Sequence, residues 1–99
     1  MSYFSIRVEL HDAQWHHYTE MAKDLARQGI TDLIVSDNGV SYKLPPAEYS
    51  YVGEKAIDVV FNLAQASANK TGKKNAVVVT EGIRRKWAGL ETISARRTA

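Results

Sequence analysis

Two short β-rich runs, Ile30-Thr-Asp-Leu-Ile-Val35 and Val40-Ser-Tyr-Lys-Leu44, flank an Asp37-Asn38-Gly39 turn, directly behind a helical stretch that stops at Gly29. Asn and Gly tolerate the positive φ that a tight reversal requires, so the segment specifies an antiparallel hairpin and not an interrupted helix. A chain that must place a hairpin immediately after a helix has few small folds open to it.

The flanking pattern narrows them further. From Tyr3 to Leu10 the chain alternates, with Phe4, Ile6, Val8 and Leu10 on one face and Ser5, Arg7 and Glu9 on the other, which is the signature of a half-buried strand. Asp12 then suits a helix N-cap, and Trp15, Tyr18, Ala22 and Leu25 recur at helical spacing up to a left-handed Gly29, predicting a helix over residues 13–28. Pro45-Pro46 interrupts the strand that follows the turn, and that strand is expected to resume, bent or bulged, at Tyr49-Ser-Tyr-Val52. Ile57, Val60, Phe61 and Ala64 mark a second helix over residues 54–68, and Ala76-Val-Val-Val-Thr80 a last strand ending near Gly82.

The order β-α-β-β-α-β predicts an α+β fold of the ferredoxin-like type: a four-stranded antiparallel sheet with two helices on one face over residues 1–82, followed by a basic C-terminal segment, residues 83–99, partly ordered or disordered. Leu33, Val35 and Val78 fall on the face away from those helices. That face therefore calls for a cover, either the C-terminal segment through Trp87, Leu90 and Ile93 or a second copy of the chain.

Ninety-nine residues, 44% of them apolar, suffice for one core. The absence of cysteine excludes disulfides, thiolate metal sites and a Cys nucleophile. No run approaches the roughly 18 to 20 apolar residues of a membrane span, so a soluble, cytoplasmic protein without a membrane partner is expected. The net charge of +2 hides a division: from Lys70 onward eight Lys and Arg side chains face only Glu81 and Glu91, while the preceding part is acidic. A basic end of this kind meets phosphates through Lys and Arg, or simply remains solvated.

Glu9, His11 and Asp12 gather where the first strand ends, with His16 and His17 close behind. Carboxylate beside imidazole suits proton transfer at a phosphodiester. The spacing is not that of a metal site, since adjacent histidines on a helix point about 100° apart, and neither a metal nor another cofactor is called for. Tyr42, Tyr49 and Tyr51 are read as packing residues in preference to base-stacking ones. Arg84-Arg85-Lys86 follows the last strand, and Lys73-Lys74 precedes it at the opposite end. No Gly-rich nucleotide loop and no nucleophile triad is present.

With these residues in place the chain resembles the GhoS antitoxin family of type V toxin-antitoxin systems, bacterial proteins with a ferredoxin-like fold related to the small CRISPR-associated endoribonucleases. The resemblance runs from Phe4 to Val52 and on through the second helix to Trp87. It is carried by the strand ending in the acid Glu9, the first helix, Leu33-Ile-Val-Ser-Asp37 with Gly39, Leu44, Tyr49 and the closing Val-Val-Thr-Glu81. It implies an endoribonuclease that binds and cuts the messenger RNA of a small membrane toxin. Glu9 stands where the relatives carry Asp, and their basic residue in the first helix is matched by Lys23 or Arg27 only after a shift of register. Cleavage through the RNA's own 2′-hydroxyl would then use Glu9 or His11 as the catalytic pair, with Arg7, Lys43, Arg84, Arg85 and Lys86 binding nucleic acid. The other reading of the same residues is a non-enzymatic bacterial or phage interaction protein that forms a homodimer through its sheet.

Overall fold

A computed structural model describes residues 2–93 of the chain. Its elements run β1 (Ser2–Leu10), α1 (Trp15–Arg27), β2 (Leu33–Val35), β3 (Ser41–Lys43), β4 (Glu48–Gly53), α2 (Ile57–Asn69), β5 (Asn75–Gly82) and β6 (Thr92–Ile93). The fold is α+β, with two helices and two three-stranded antiparallel sheets, ordered β4-β1-β5 and β2-β3-β6. The expected single four-stranded ferredoxin-like sheet is therefore not formed. β2 pairs with no strand of the first sheet; just before it Thr31 forms an isolated bridge with Ser50 of β4, the two exchanging backbone bonds of 2.9 and 2.7 Å.

The physical cause lies between Lys43 and Glu48. Pro45 and Pro46 carry no ladder donor, and Ala47 adopts a positive φ of 69°, a conformation disfavoured for a residue with a Cβ. The strand expected to run across this break is consequently two strands, β3 and β4, in different sheets. β6, from the C-terminal segment, pairs with β3 and completes the second sheet. Arg96 and Arg97, part of the basic segment, lie outside the described residues.

The turn behaves as its residues require. Gly39 sits at φ 86°, the Ser36 N–H donates to the Val40 carbonyl, and Leu33, Ile34 and Val35 pair with Lys43, Tyr42 and Ser41. Gly29 follows the C-cap of α1 at φ 80°. The helix begins later than expected: Asp12 has φ 53° and lies in the connecting turn, and the N-cap is Gln14, whose N–H donates to His17 Nδ1 at 2.9 Å.

The core lies on one side of the first sheet. Phe4, Ile6, Val8 and Leu10 of β1 pack with Met21 and Leu25 of α1 and Val60, Ala64 and Ala68 of α2. Burying a large apolar side chain contributes about 1.5–3 kcal/mol, so the alternation of β1 dominates the choice of face. Trp15, assigned to the helix's apolar stripe by spacing, is instead 76% exposed. On the other side of the sheet the C-terminal segment gives partial cover, the Arg85 guanidinium lying 4.5 Å from the centre of the Tyr3 ring, while Trp87 meets Tyr42 of the second sheet edge-on at 5.6 Å. Val78 and Val52 on that face, and Val35 in β2, stay open to solvent.

Candidate functional site

β1 and β5 run antiparallel with Leu10 opposite Asn75 and Tyr3 opposite Gly82. The loop entering β5 therefore sits beside the loop leaving β1, and this pairing assembles the site. The His11 N–H donates to the Lys74 carbonyl at 2.8 Å, extending the ladder by one step. It sets the backbone of the Lys73–Lys74 loop beside the turn that follows Glu9.

Within the cluster, His11 Nε2 stands 3.8 Å from Glu9 Oε1, both side chains being well exposed. That separation is too long for a hydrogen bond and short enough for a substrate hydroxyl or water to bridge. His16 and His17 stack with ring centres 4.0 Å apart. Partial burial, then the neighbouring His16 and Lys73, draws His17 below the ordinary imidazole pKa. A neutral ring is what its hydrogen bond demands, because Nδ1 accepts from Gln14. The arrangement supplies a carboxylate and an imidazole at one strand end, with two lysines in the adjoining loop, the residue types that move protons and neutralise phosphate.

The remaining residues selected from the sequence are spread over three further places. Arg7 lies on the open face midway along β1, its Nη1 held 3.0 Å from Glu48 Oε2. Arg84, Arg85 and Lys86 follow Gly82 at the far end of the sheet, seven register steps or roughly 23 Å from the His11 end at about 3.3 Å per residue. Arg85 lies over Tyr3 there, while Arg84 and Lys86 are exposed. Lys43 belongs to the second sheet, where its Nζ pairs with Asp32 Oδ2 at 2.7 Å. Glu9 and His11 are thus brought together, and the expected nucleic-acid set does not form one patch with them.

Two features escape the sequence reading. One is the placing of the Lys73–Lys74 loop beside Glu9 and His11; the signal was there in the adjacency of β1 and the last strand. The other is a cavity of about 470 Å³ between the start of α1 and the Pro45–Tyr49 segment. Trp15 stands on its rim, and Tyr18, Tyr49, Asp32 and Lys43 line it. The Tyr18 hydroxyl is fully engaged, accepting from the Leu10 N–H at 2.9 Å and donating to the Leu10 carbonyl at 3.3 Å. Burial, assisted by the Asp32 charge, pushes the Tyr49 phenol up to about 12, so it stays neutral.

Compared with known proteins, the chain matches no family model and no curated sequence. Among the described residues no helix is long and apolar enough to cross a membrane, and no three His, Asp or Glu side chains gather as a metal-binding group.

Proposed function

We propose that the chain is a small RNA-binding endoribonuclease of the antitoxin kind, acting in the bacterial cytoplasm on the messenger of a membrane toxin. The observation that carries this reading is the strand end itself, Glu9 with His11 at 3.8 Å, against which the backbone of the Lys73–Lys74 loop is paired. Single-stranded RNA laid along the open face would run from this cluster past Arg7 to Tyr3 and Arg85, where a guanidinium over an aromatic ring offers a stacking platform. In the reaction, Glu9 or His11 takes the proton of the 2′-hydroxyl, the lysines carry the charge of the crowded phosphate, and a protonated imidazole returns a proton to the departing 5′ oxygen. Lys73 and Lys74 replace Lys43 in this scheme, since Lys43 is tied to Asp32 in the other sheet.

Incubation of the full chain with labelled single-stranded RNA, with and without chelator, tests the reading. Glu9→Gln and His11→Ala should each reduce cutting at least about tenfold; unchanged rates in both remove the assignment. A second reading is favoured by Val78 and Val52, which are 60% and 47% exposed on the open face. A non-catalytic protein that dimerises through this surface would give a stable dimer by light scattering, no RNA cleavage, and dissociation on Val78→Asp.

A further inference from the structure

The cavity beside α1 is distinct from the strand-end cluster, and its lining has a specific chemistry. Trp15 is 76% exposed at the rim, an unusual placement for an indole unless its face is offered to something. Tyr49 and Tyr18 close the inner side, and neither hydroxyl is free to act as an acid: one is held on the Leu10 backbone and the other has its pKa pushed up to about 12. Of the other polar side chains in the lining, Thr19 donates to the Trp15 carbonyl at 3.2 Å and Glu48 pairs with Arg7 at 3.0 Å, which leaves Gln14 and the Asp32–Lys43 pair, a carboxylate and an ammonium 2.7 Å apart and each nearly half exposed. Exposed pairs of this kind are weak and open readily to a competing ligand.

A flat aromatic ligand that stacks on Trp15 would therefore meet one acceptor group with two oxygens beside one cationic donor. The pairing edge of guanine is the complement of that arrangement: two adjacent N–H donors, at N1 and N2, face a carboxylate, and the neighbouring O6 faces an ammonium. Adenine presents an acceptor at N1 where the carboxylate would lie, and cytosine offers it only one amino donor. The volume is in the range that holds ligands of this size.

We propose that this cavity is a guanine-binding site, with Trp15 as the stacking surface, Asp32 reading N1–H and N2–H, and Lys43 reading O6. The site does not depend on the chain being a nuclease. If RNA is the source of the base, Ala13 and Gln14 in the lining directly follow the His11 turn, so the cavity and the strand-end cluster are neighbours along the chain.

The full chain carrying Trp87→Phe leaves Trp15 as its one indole and as a fluorescent reporter. Guanosine, adenosine and cytidine monophosphates are titrated in turn, followed by two tetraribonucleotides that differ only by guanine or adenine at one position. The guanine probes are expected to quench Trp15 saturably and to bind at least tenfold more tightly than the adenine and cytosine probes. Asp32→Asn should weaken them at least tenfold with an unchanged circular dichroism spectrum, and Lys43→Met takes its place should the Asn variant fail to fold. A tetranucleotide at least tenfold tighter than the mononucleotide marks RNA as the source, and equal affinities mark a free nucleotide. The proposal is overturned by the absence of saturable quenching with every guanine probe, by equal binding of adenine or cytosine, or by undiminished binding in the variant. Guanine binding without cleavage sinks only the nuclease reading, and cleavage without guanine binding sinks only this one.

Discussion

The Ser67 hydroxyl donates a 2.6 Å hydrogen bond to Asp24 Oδ2, joining the buried side of α2 to α1. Lys70 Nζ and Arg27 Nη1 reach the same carboxylate at 3.1 and 2.8 Å from the solvent side. This is the polar tie between two helices that otherwise meet through apolar side chains. Ser67→Ala leaves a largely buried carboxylate short of its internal donor and is expected to lower stability by about 1–3 kcal/mol, measured by urea unfolding.

Acid should act on the same pair. The Ser67 hydrogen bond first, and the Lys70 and Arg27 charges after it, hold Asp24 below its ordinary pKa of 3.8 against the opposing effect of burial. A carboxylate depressed in the folded state adds stability above its unfolded pKa, and that contribution is lost as pH falls through the folded value. Unfolding midpoints should therefore drop more steeply below about pH 4 in the parent chain than in Asp24→Asn. Parallel curves would show that Asp24 is not the group responsible.

For His17 the ordinary pKa is 6.5, and partial burial, followed by His16 and Lys73, lowers it. The folded state favours the neutral ring, so its contribution to the α1 N-terminus is complete above pH 6.5 and fades as pH falls through the folded value. An NMR titration should find His17 protonating at lower pH than a free imidazole, accompanied by a shift of the Gln14 amide. Lys73→Ala should move that titration upward.

Gly53 closes β4 against the ring and hydroxyl of Tyr51, which occupy the space a Cβ would need. The same ring lies 5.5 Å from Phe4 and under the Lys55 ammonium. Gly53→Ala should displace Tyr51 from this stack and cost about 1–3 kcal/mol, with a change in the near-ultraviolet circular dichroism. Retention of both the spectrum and the stability would show that the ring moves aside freely.

Replacing Lys73 and Lys74 together by alanine should weaken RNA retention for all sequences and flatten its dependence on salt. For single strands the log–log slope falls by about 0.7 for each phosphate that is no longer neutralised. A slope unchanged in a filter-binding series would place the RNA elsewhere.

Much of the local structure was legible because single residues impose it. Gly39 supplies the positive φ of the reversal, Gly29 ends α1, and the strict alternation from Phe4 to Leu10 selects the core side of β1. The sheet arrangement was less legible. Nothing in the sequence of Tyr49 to Val52 shows that it pairs with β1 while Ser41 to Lys43 turns to β6; that outcome hangs on the backbone of Ala47 and on a two-residue strand late in the chain. Trp15 misled for a different reason. Helical spacing places it in line with Tyr18, Ala22 and Leu25, yet it opens the first turn of the helix and is left exposed there. In the candidate site, Glu9 and His11 were visible as near neighbours in the chain, whereas Lys73 and Lys74 join them only through strand pairing.

The Thr31–Ser50 bridge meets the first sheet at a single point. A second backbone bond, from the Val8 N–H to the Ala47 carbonyl at 3.1 Å, joins the layers nearby. Thr31 precedes β2 and Ala47 follows β3, so the hairpin is held at its base, and its Ser36–Val40 tip is the part whose length can change with least disturbance to the larger layer.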